Sequence, residues 1–377
     1  MSFTLIIQPH DVVLFRDGKP FSAGMDTRAR SLFPPTPFTI QGAIRARVLF
    51  SSGISLAEYY EQKTPRAQEL LNLISAPDKG YGQLRLKGPF LARRKNGKWI
   101  PYFPLPADVV KVGESYELLQ PLEKPCWQSN VPDDQLRPLW IRTANRAEEV
   151  RGWVSEDNLR KYIEGEAPHE VLEESRFVER ESRFGIAIER ERRTVRESHL
   201  YLAEFLRLKE EVAFWVEVEG IDQSKLGGEE GFLQLGGEAR AAYYKVQEQS
   251  LDSLLTPPNS LPRRFKVVLL TPAWFSGGWR PENGNWGAFF KGSVRLISAV
   301  IPRYQAMGGA YASHQQTKGI QRPMRRFVPA GSVYFFECDS SVSWAHKPFT
   351  ETPPGEGDYG QIGFGTCVIT RTDWNYV

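Results

Sequence analysis

HLYLAEFLRLK (199–209), followed after a single residue by EVAFWVEVEG (211–220), decides the fold class. In both runs apolar residues alternate with polar ones, and aromatic and β-branched types dominate, which is the pattern of a half-buried strand. So short a connection predicts an antiparallel pair. On the C-terminal side, FLQLGGEARAAYYKVQ (232–247), RFKVVLLTPAWF (264–275), GSVRLISAVIP (292–302) and GSVYFFECD (331–339) read as further strands. The last element, GQIGFGTCVIT (360–370), is a glycine-rich loop running into a strand. On the N-terminal side, GIAIER (185–190) and FTLII (3–7) read as strands, and 82–103 is strand-rich with a hairpin signal at Asn96-Gly97.

SLFPPTPFTIQGAIRARVLF (31–50) carries the clearest helix start. Thr36 is placed to cap, Pro37 takes the first position, Ile40, Ala43, Ile44 and Val48 recur at helical spacing, and Gly53 ends the run. Residues 56–75 read as a second helix broken at Pro65, and 104–180 as an insertion with short helices. The plan is α+β: two domains, each an antiparallel sheet with helices on one face. The first is residues 1–180, with a basic hairpin and the insertion; the second is 181–377, with the glycine-rich loop.

Composition narrows the function classes. The 377 residues are 41% hydrophobic and 12% aromatic, enough for real cores and too much for bulk disorder. No run approaches the length of a membrane span, and the N-terminal sequence lacks a basic, then apolar, leader. Three scattered cysteines without a CxxC argue against a disulfide framework or structural zinc. A cytoplasmic protein is therefore expected. The five histidines are far apart, with no HExxH, and no GxxxxGK[ST] occurs. The run Gly357, Gly360, Gly363, Gly365 precedes a strand where a dinucleotide fingerprint needs a helix to follow. Neither a metal nor a cofactor is expected.

Charge distribution says more than the net +3. Arginine outnumbers lysine 32 to 16, and its planar fork suits phosphates and base faces. Three windows hold no acid at all: 27–57 with four cations, 79–107 with seven, and 283–336 with seven. Folding these together makes a basic surface for a polyanion. The acid-rich remainder suggests a second face for a basic protein partner. RYQAMGGAYASHQQTKGIQRPMRRF (303–327) is the most site-like stretch. It mixes phosphate donors with planar groups, as recognition of single-stranded RNA requires.

Seven segments in this order resemble a known family: FRDGKPFSAG (15–24), SLFPPTPFTIQGAIRARVL (31–49), GIAIERERRTVRESHLYLAEFLRL (185–208), LGGEARAAYY (235–244), LTPAWFSGGW (270–279), RPMRRFVPAGSVYFF (322–336) and GQIGFGTC (360–367). They are similar to the type III-B CRISPR RAMP family, in particular the third subunit of the Cmr effector complex, which caps the 5′ end of the crRNA. The resemblance implies two ferredoxin-like (RRM-type) domains with insertions and a C-terminal glycine-rich loop. It implies recognition of the crRNA 5′ handle without cleavage, in antiviral defence. Docking to the large polymerase/cyclase-like subunit and to the neighbouring backbone RAMP subunit is implied too. Such a chain is not an enzyme.

Chemistry selects the residues within these segments. Arg28, Arg30 and Arg45 would clamp handle phosphates near the helix start, beside Ser31, with Gln41 reading a base edge. Arg303, Gly308, Gly309, His314, Lys318, Arg322, Arg325 and Arg326 would bind further nucleotides, and Gly363 and Gly365 would let backbone approach the RNA or pack closely under its site. The rival reading is a metal-independent RAMP endoribonuclease that processes CRISPR RNA, with His314 as general acid/base and Lys318 stabilising the phosphorane.

Overall fold

A computed structural model describes residues 2–17, 28–75, 80–124, 136–189, 194–313, 316–339 and 341–377. The chain forms two compact units, each built from three chain segments. Unit 1 is Met1–Gly97, Ser175–Gln249 and Ala306–Arg325; unit 2 is Lys98–Glu174, Ser250–Gln305 and Arg326–Val377.

Unit 1 contains β1 (Ser2–Pro9), α1 (Pro37–Ser52), α2 (Leu56–Glu61), α3 (Pro65–Ile74), β2 (Arg85–Lys95), β3 (Val178–Glu189), β4 (Thr194–Leu208), β5 (Val212–Glu219), β6 (Glu230–Gln234), β7 (Ala241–Gln247) and, from Ala306 to Arg325, most of a hairpin of β8 (Gln305–Ser313) and β9 (Gln316–Phe327). Its main sheet runs β2-β5-β1-β7-β6, with every neighbouring pair antiparallel. β1 lies between β5 and β7, so the pairing joins the first strand of the chain to strands beyond residue 181, across the single division at 180 expected from the sequence.

The two runs that opened the sequence reading are both strands, yet they do not pair with each other. β4 pairs with β3 and, in parallel, with Arg28–Ala29, while β5 joins the main sheet. A tight turn separates them: Val212 N–H donates to the Lys209 carbonyl (3.2 Å) and Glu211 takes φ 58°. The reason is burial. β5 is covered on both faces, as a central strand must be, whereas the described part of β4 keeps exposed and half-buried positions among its buried ones.

The helix reads as the sequence predicts. Thr36 caps α1 by accepting from Thr39 N–H, Pro37 opens it, and Gly53 closes it at φ 69°. Ile40, Ala43, Ile44 and Val48 form the buried stripe, and α1 packs on β2 and β6. Pro65 splits the next helix into α2 and α3. At Asn96-Gly97 both residues take positive φ (51° and 79°), as a type I′ turn requires, and the boundary between units falls at that turn.

Unit 2 has a four-stranded sheet in the order Arg295–Val300, Val333–Glu337, Arg264–Leu269, Cys367–Ile369, again antiparallel throughout. Among the described residues no α-helix covers the crossovers 270–294 and 338–366; each carries only one 3₁₀ turn. Aromatic rings fill that volume instead. Trp286 stacks on Phe349 at 5.5 Å and 3°, with Phe275, Phe289, Phe290 and Phe336 set around them. The insertion is mostly short strands with one helix, Glu156–Ile163. It is tied to the sheet by a buried polar cluster. Lys266 Nζ pairs with Asp108 Oδ2 at 2.7 Å, and the Tyr162 hydroxyl donates to the same carboxylate. No helix among the described residues is long and apolar enough to cross a membrane.

Candidate nucleic-acid interface

In unit 1 the three acid-free windows meet at one side chain. Arg45, from the first window, lies on α1 and is 91% buried, being 9% exposed. Its Nη2 donates to the carbonyls of Ile74 and Gly80, both at 2.7 Å. Its guanidinium sits 5.9 Å from the ring centroid of Tyr81, in the second window. From the third window comes Arg322, close enough that its charge acts on Arg45. Burial lowers the Arg45 pKa, Arg322 pushes the same way, and the phenols of Tyr59, Tyr81 and Tyr60 oppose. None of these groups is a carboxylate. Two like charges have been brought together, an arrangement that raises the local potential for an anion.

Arg322 stands over Phe38, its guanidinium carbon 4.9 Å from the ring centroid. Phe38, Gln41 and Arg45 follow i, i+3, i+7 spacing and so share one face of α1. Gln41 is buried, and its Nε2 and the Arg45 Nε have no hydrogen-bond partner among the described residues. The first turn of α1 carries no acidic residue, which leaves its N-terminal partial charge uncompensated.

The other predicted site residues of unit 1 fall into different environments. Arg30 is exposed; Arg28 pairs through its backbone with Leu202, and its side chain is not described. Ser31 is buried, its hydroxyl donating to the Glu204 carbonyl (2.6 Å) and accepting from Phe15 N–H (3.2 Å), so it is engaged inside the protein. Gly308 and Gly309 lie on β8 against β9. A Cβ on Gly308 would meet the Arg322 carbonyl at 3.4 Å, and one on Gly309 would meet Arg322 Cδ at 3.9 Å. Arg325 is half-buried on β9. Lys318 is in β9 with its side chain not described, and His314 lies outside the described residues, as does any catalytic reading built on it.

Some cations of the basic windows are committed elsewhere. Arg47 donates to the Leu226 carbonyl and stacks on Tyr244, and Lys87 pairs with Glu217 and Glu219. At the Asn96-Gly97 turn Arg94, Lys95 and Lys98 are exposed.

In unit 2, Arg303 is exposed and Arg326 stacks over Tyr304, itself 48% exposed, at 4.9 Å. Arg295 is paired with Glu337. Gly363 (φ 104°) and Gly365 (φ 66°) are buried, and their carbonyls bond inward, to the Thr271 hydroxyl and to Phe349 N–H. A Cβ at Gly365 would sit 2.7 Å from the Phe349 carbonyl carbon, so the loop's glycines serve close packing. Phe327, Tyr359 and Phe364 stack beneath it.

Phe38 is the residue that sequence reasoning missed. Its signal was present: it lies off the Ile40–Ala43–Ile44–Val48 stripe and in line with Gln41 and Arg45. Among the described residues no cluster of three or more His, Cys, Asp or Glu side chains is placed to hold a metal ion.

The chain thus presents a mostly antiparallel α+β architecture in two units, with two arginines brought together on a helix and a hairpin of the first. The chain belongs to the CRISPR-associated Cmr3 family, whose family model matches residues 5–372. No curated protein matches it. Among solved structures it is similar to a chain of the type III-B Cmr-beta complex bound to cognate target RNA (19% identity over 88% of this chain and 86% of that one, TM-score 0.47). It is also similar to a chain of the same complex bound to target RNA and AMPPnP (18%, 88% and 86%, 0.46), and to one of the Csm3-Csm4 subcomplex of the type III-A interference complex (13%, 92% and 100%, 0.33). At these TM-scores the likenesses add nothing to the assignment, which the family match carries.

Proposed function

We propose that this chain is the non-catalytic RNA-binding and assembly subunit of a type III-B CRISPR effector complex. It recognises the crRNA 5′ handle and docks the large polymerase/cyclase-like subunit and the neighbouring backbone RAMP subunit. The observation that supports the reading is the meeting of all three acid-free windows around Arg45, with Arg322 close enough for its charge to act on it. On this reading Arg28, Arg30, Lys318, Arg322 and Arg325 of unit 1 touch the RNA, while Ser31, Gln41 and Arg45 hold the surface in shape from beneath. In unit 2, Arg303 and Arg326 supply charge over a rigid base that includes Gly363 and Gly365.

The fold reading belongs with it. In each unit the four core strands follow one order: the second strand beside the third, the third beside the first, the first beside the fourth. That order supports a ferredoxin-like reading of each unit, with α1, α2 and α3 on the first crossover of unit 1.

The test is guide binding by the reconstituted complex across a salt series. Each phosphate contact on a single strand contributes about 0.7 to the slope of log affinity against log salt. Arg322→Ala/Arg325→Ala should flatten that slope by about 1.4 and weaken binding roughly 25-fold at 0.1 M salt. Unchanged affinity and slope in a folded, assembled variant would refute the reading.

A further inference from the structure

The main sheet of unit 1 ends at β6 among the described residues. We propose that the outer edge of β6 is a docking site for an extended, basic segment of another protein subunit, which joins the sheet as a further strand; this rests on the assembly half of the proposed function and names a contact it makes. Three features of unit 1 argue for it. First, the ladder fixes which backbone groups point outward. Val246 N–H donates to the Glu229 carbonyl (2.7 Å) and Leu235 N–H to the Arg240 carbonyl (2.8 Å), both in register with the pairing of β6 and β7. In an antiparallel ladder, pairs that exchange hydrogen bonds alternate with pairs that do not. Glu229, Gly231, Leu233 and Leu235 therefore turn their backbone to β7, while Glu230, Phe232 and Gln234 turn theirs outward. All three are exposed, and no hydrogen bond reaches their backbone groups among the described residues. Second, the edge carries none of the usual blocks: β6 has no proline and no lysine, and its pairing with β7 has no bulge. Third, Phe232, at the centre of β6, is 57% exposed, with Tyr243 and His10 edge-on to it at ring-centroid distances of 5.7 and 6.5 Å. A strand laid along the edge would cover that ring.

Charge selects the occupant. From Glu210 to Ala239 there are eight acids and one base, Lys225, and that lysine is paired with Glu69 at 2.7 Å. Lys245, across the ladder, is paired with Glu230. Glu229 is exposed and makes no ion pair among the described residues. The edge is thus bordered by uncompensated negative charge, which repels a phosphate backbone and attracts lysine and arginine. The same charge opposes a second copy of this chain, because β6 paired with itself around Phe232 gathers Glu229 and Glu230 of both copies along one seam. The strand that fits has no proline, an apolar residue opposite Phe232, and a lysine or arginine two residues away on the same face, opposite Glu230. Main-chain hydrogen bonds supply the grip, and those two side chains supply the selection.

The experiment is amide hydrogen exchange, resolved to single residues, on the full chain alone and in the assembled, guide-loaded complex. On assembly the Glu230, Phe232 and Gln234 amides should slow by at least about tenfold, while those of Gly231 and Leu233, already bonded to β7, are slow in both states. Phe232→Pro removes the central outward donor and touches no hydrogen bond to β7, so the chain should fold yet join the complex about tenfold more weakly. Glu229→Lys should weaken joining by about threefold, a loss that shrinks as salt rises. Should Phe232→Pro fail to fold, the exchange rates of the unaltered chain decide alone. Outward amides that exchange equally fast alone and in a complex that holds the chain and binds guide overturn the edge site and leave the RNA-binding and assembly reading standing. A chain that neither joins the complex nor binds guide overturns both. Slowing brought about by guide RNA alone, or by raising the concentration of the isolated chain, overturns the basic protein strand as occupant in favour of RNA or of a second copy.

Discussion

Lys266 and Asp108 are 4% and 0% exposed, and their ion pair is the polar tie between the insertion and the unit 2 sheet. The Lys266 ammonium also lies over the Tyr162 and Phe335 rings, 5.2 and 4.9 Å from their centroids. Lys266→Met keeps the volume and removes the charge, which leaves the Asp108 carboxylate buried with the Tyr162 hydroxyl as its remaining side-chain partner. Breaking such a pair costs about 3–5 kcal/mol. Removing the hydroxyl alone, in Tyr162→Phe, costs about 1–3 kcal/mol, because a buried acceptor loses a donor. The triple change Lys266→Met/Asp108→Leu/Tyr162→Phe replaces the whole cluster with apolar groups and should return stability to within about 1–2 kcal/mol of the original. Urea unfolding followed by tryptophan emission is a suitable assay, because every tryptophan but Trp215 belongs to unit 2. Lys266→Met should lower the midpoint by about 1–2 M. A shift for Lys266→Met below about 0.3 M, or a triple variant no more stable than Lys266→Met, would refute the reasoning, since either outcome means the pair is solvated.

Two further outcomes follow from unit 2. Burial raises the Glu337 pKa, but hydrogen bonds from Arg264 and Arg295 outweigh it and hold the carboxyl below its ordinary value of 4.5. A depressed pKa stabilises the fold above pH 4.5, and that contribution is lost as pH falls through the folded-state value. Glu337→Gln should therefore flatten the acid limb of a stability-against-pH curve below that pH; an unchanged limb would remove Glu337 from the account. Gly365→Ala puts a Cβ 2.7 Å from the Phe349 carbonyl carbon and from Thr350 Cβ at φ 66°. It should cost about 2–3 kcal/mol by the same urea assay, and a loss under 0.5 kcal/mol would mean the loop relaxes freely.

Local rules carried much of the fold. Thr36, Pro37 and Gly53 mark the ends of α1 because capping and left-handed geometry are settled within a few residues of the chain. Asn96-Gly97 marks its turn for the same reason. Strand positions followed from alternation, since a half-buried surface imposes a period of two wherever it occurs. The acid-free windows were also plain to read, and charge sums need no coordinates.

Pairing was decided only by the tertiary structure. Adjacent runs at 199–209 and 211–220 look like partners, yet hydrogen-bond partners are chosen by which faces the rest of the chain will cover, and β5 is the strand covered on both. The fates of the cations were equally hidden. Arg45, Arg47 and Arg322 are one residue type in the sequence. In the fold the first is buried against two carbonyls, the second holds Leu226, and the third lies on a phenylalanine. Charge is a property of a residue, but availability is a property of its surroundings, and those are assembled from segments far apart along the chain.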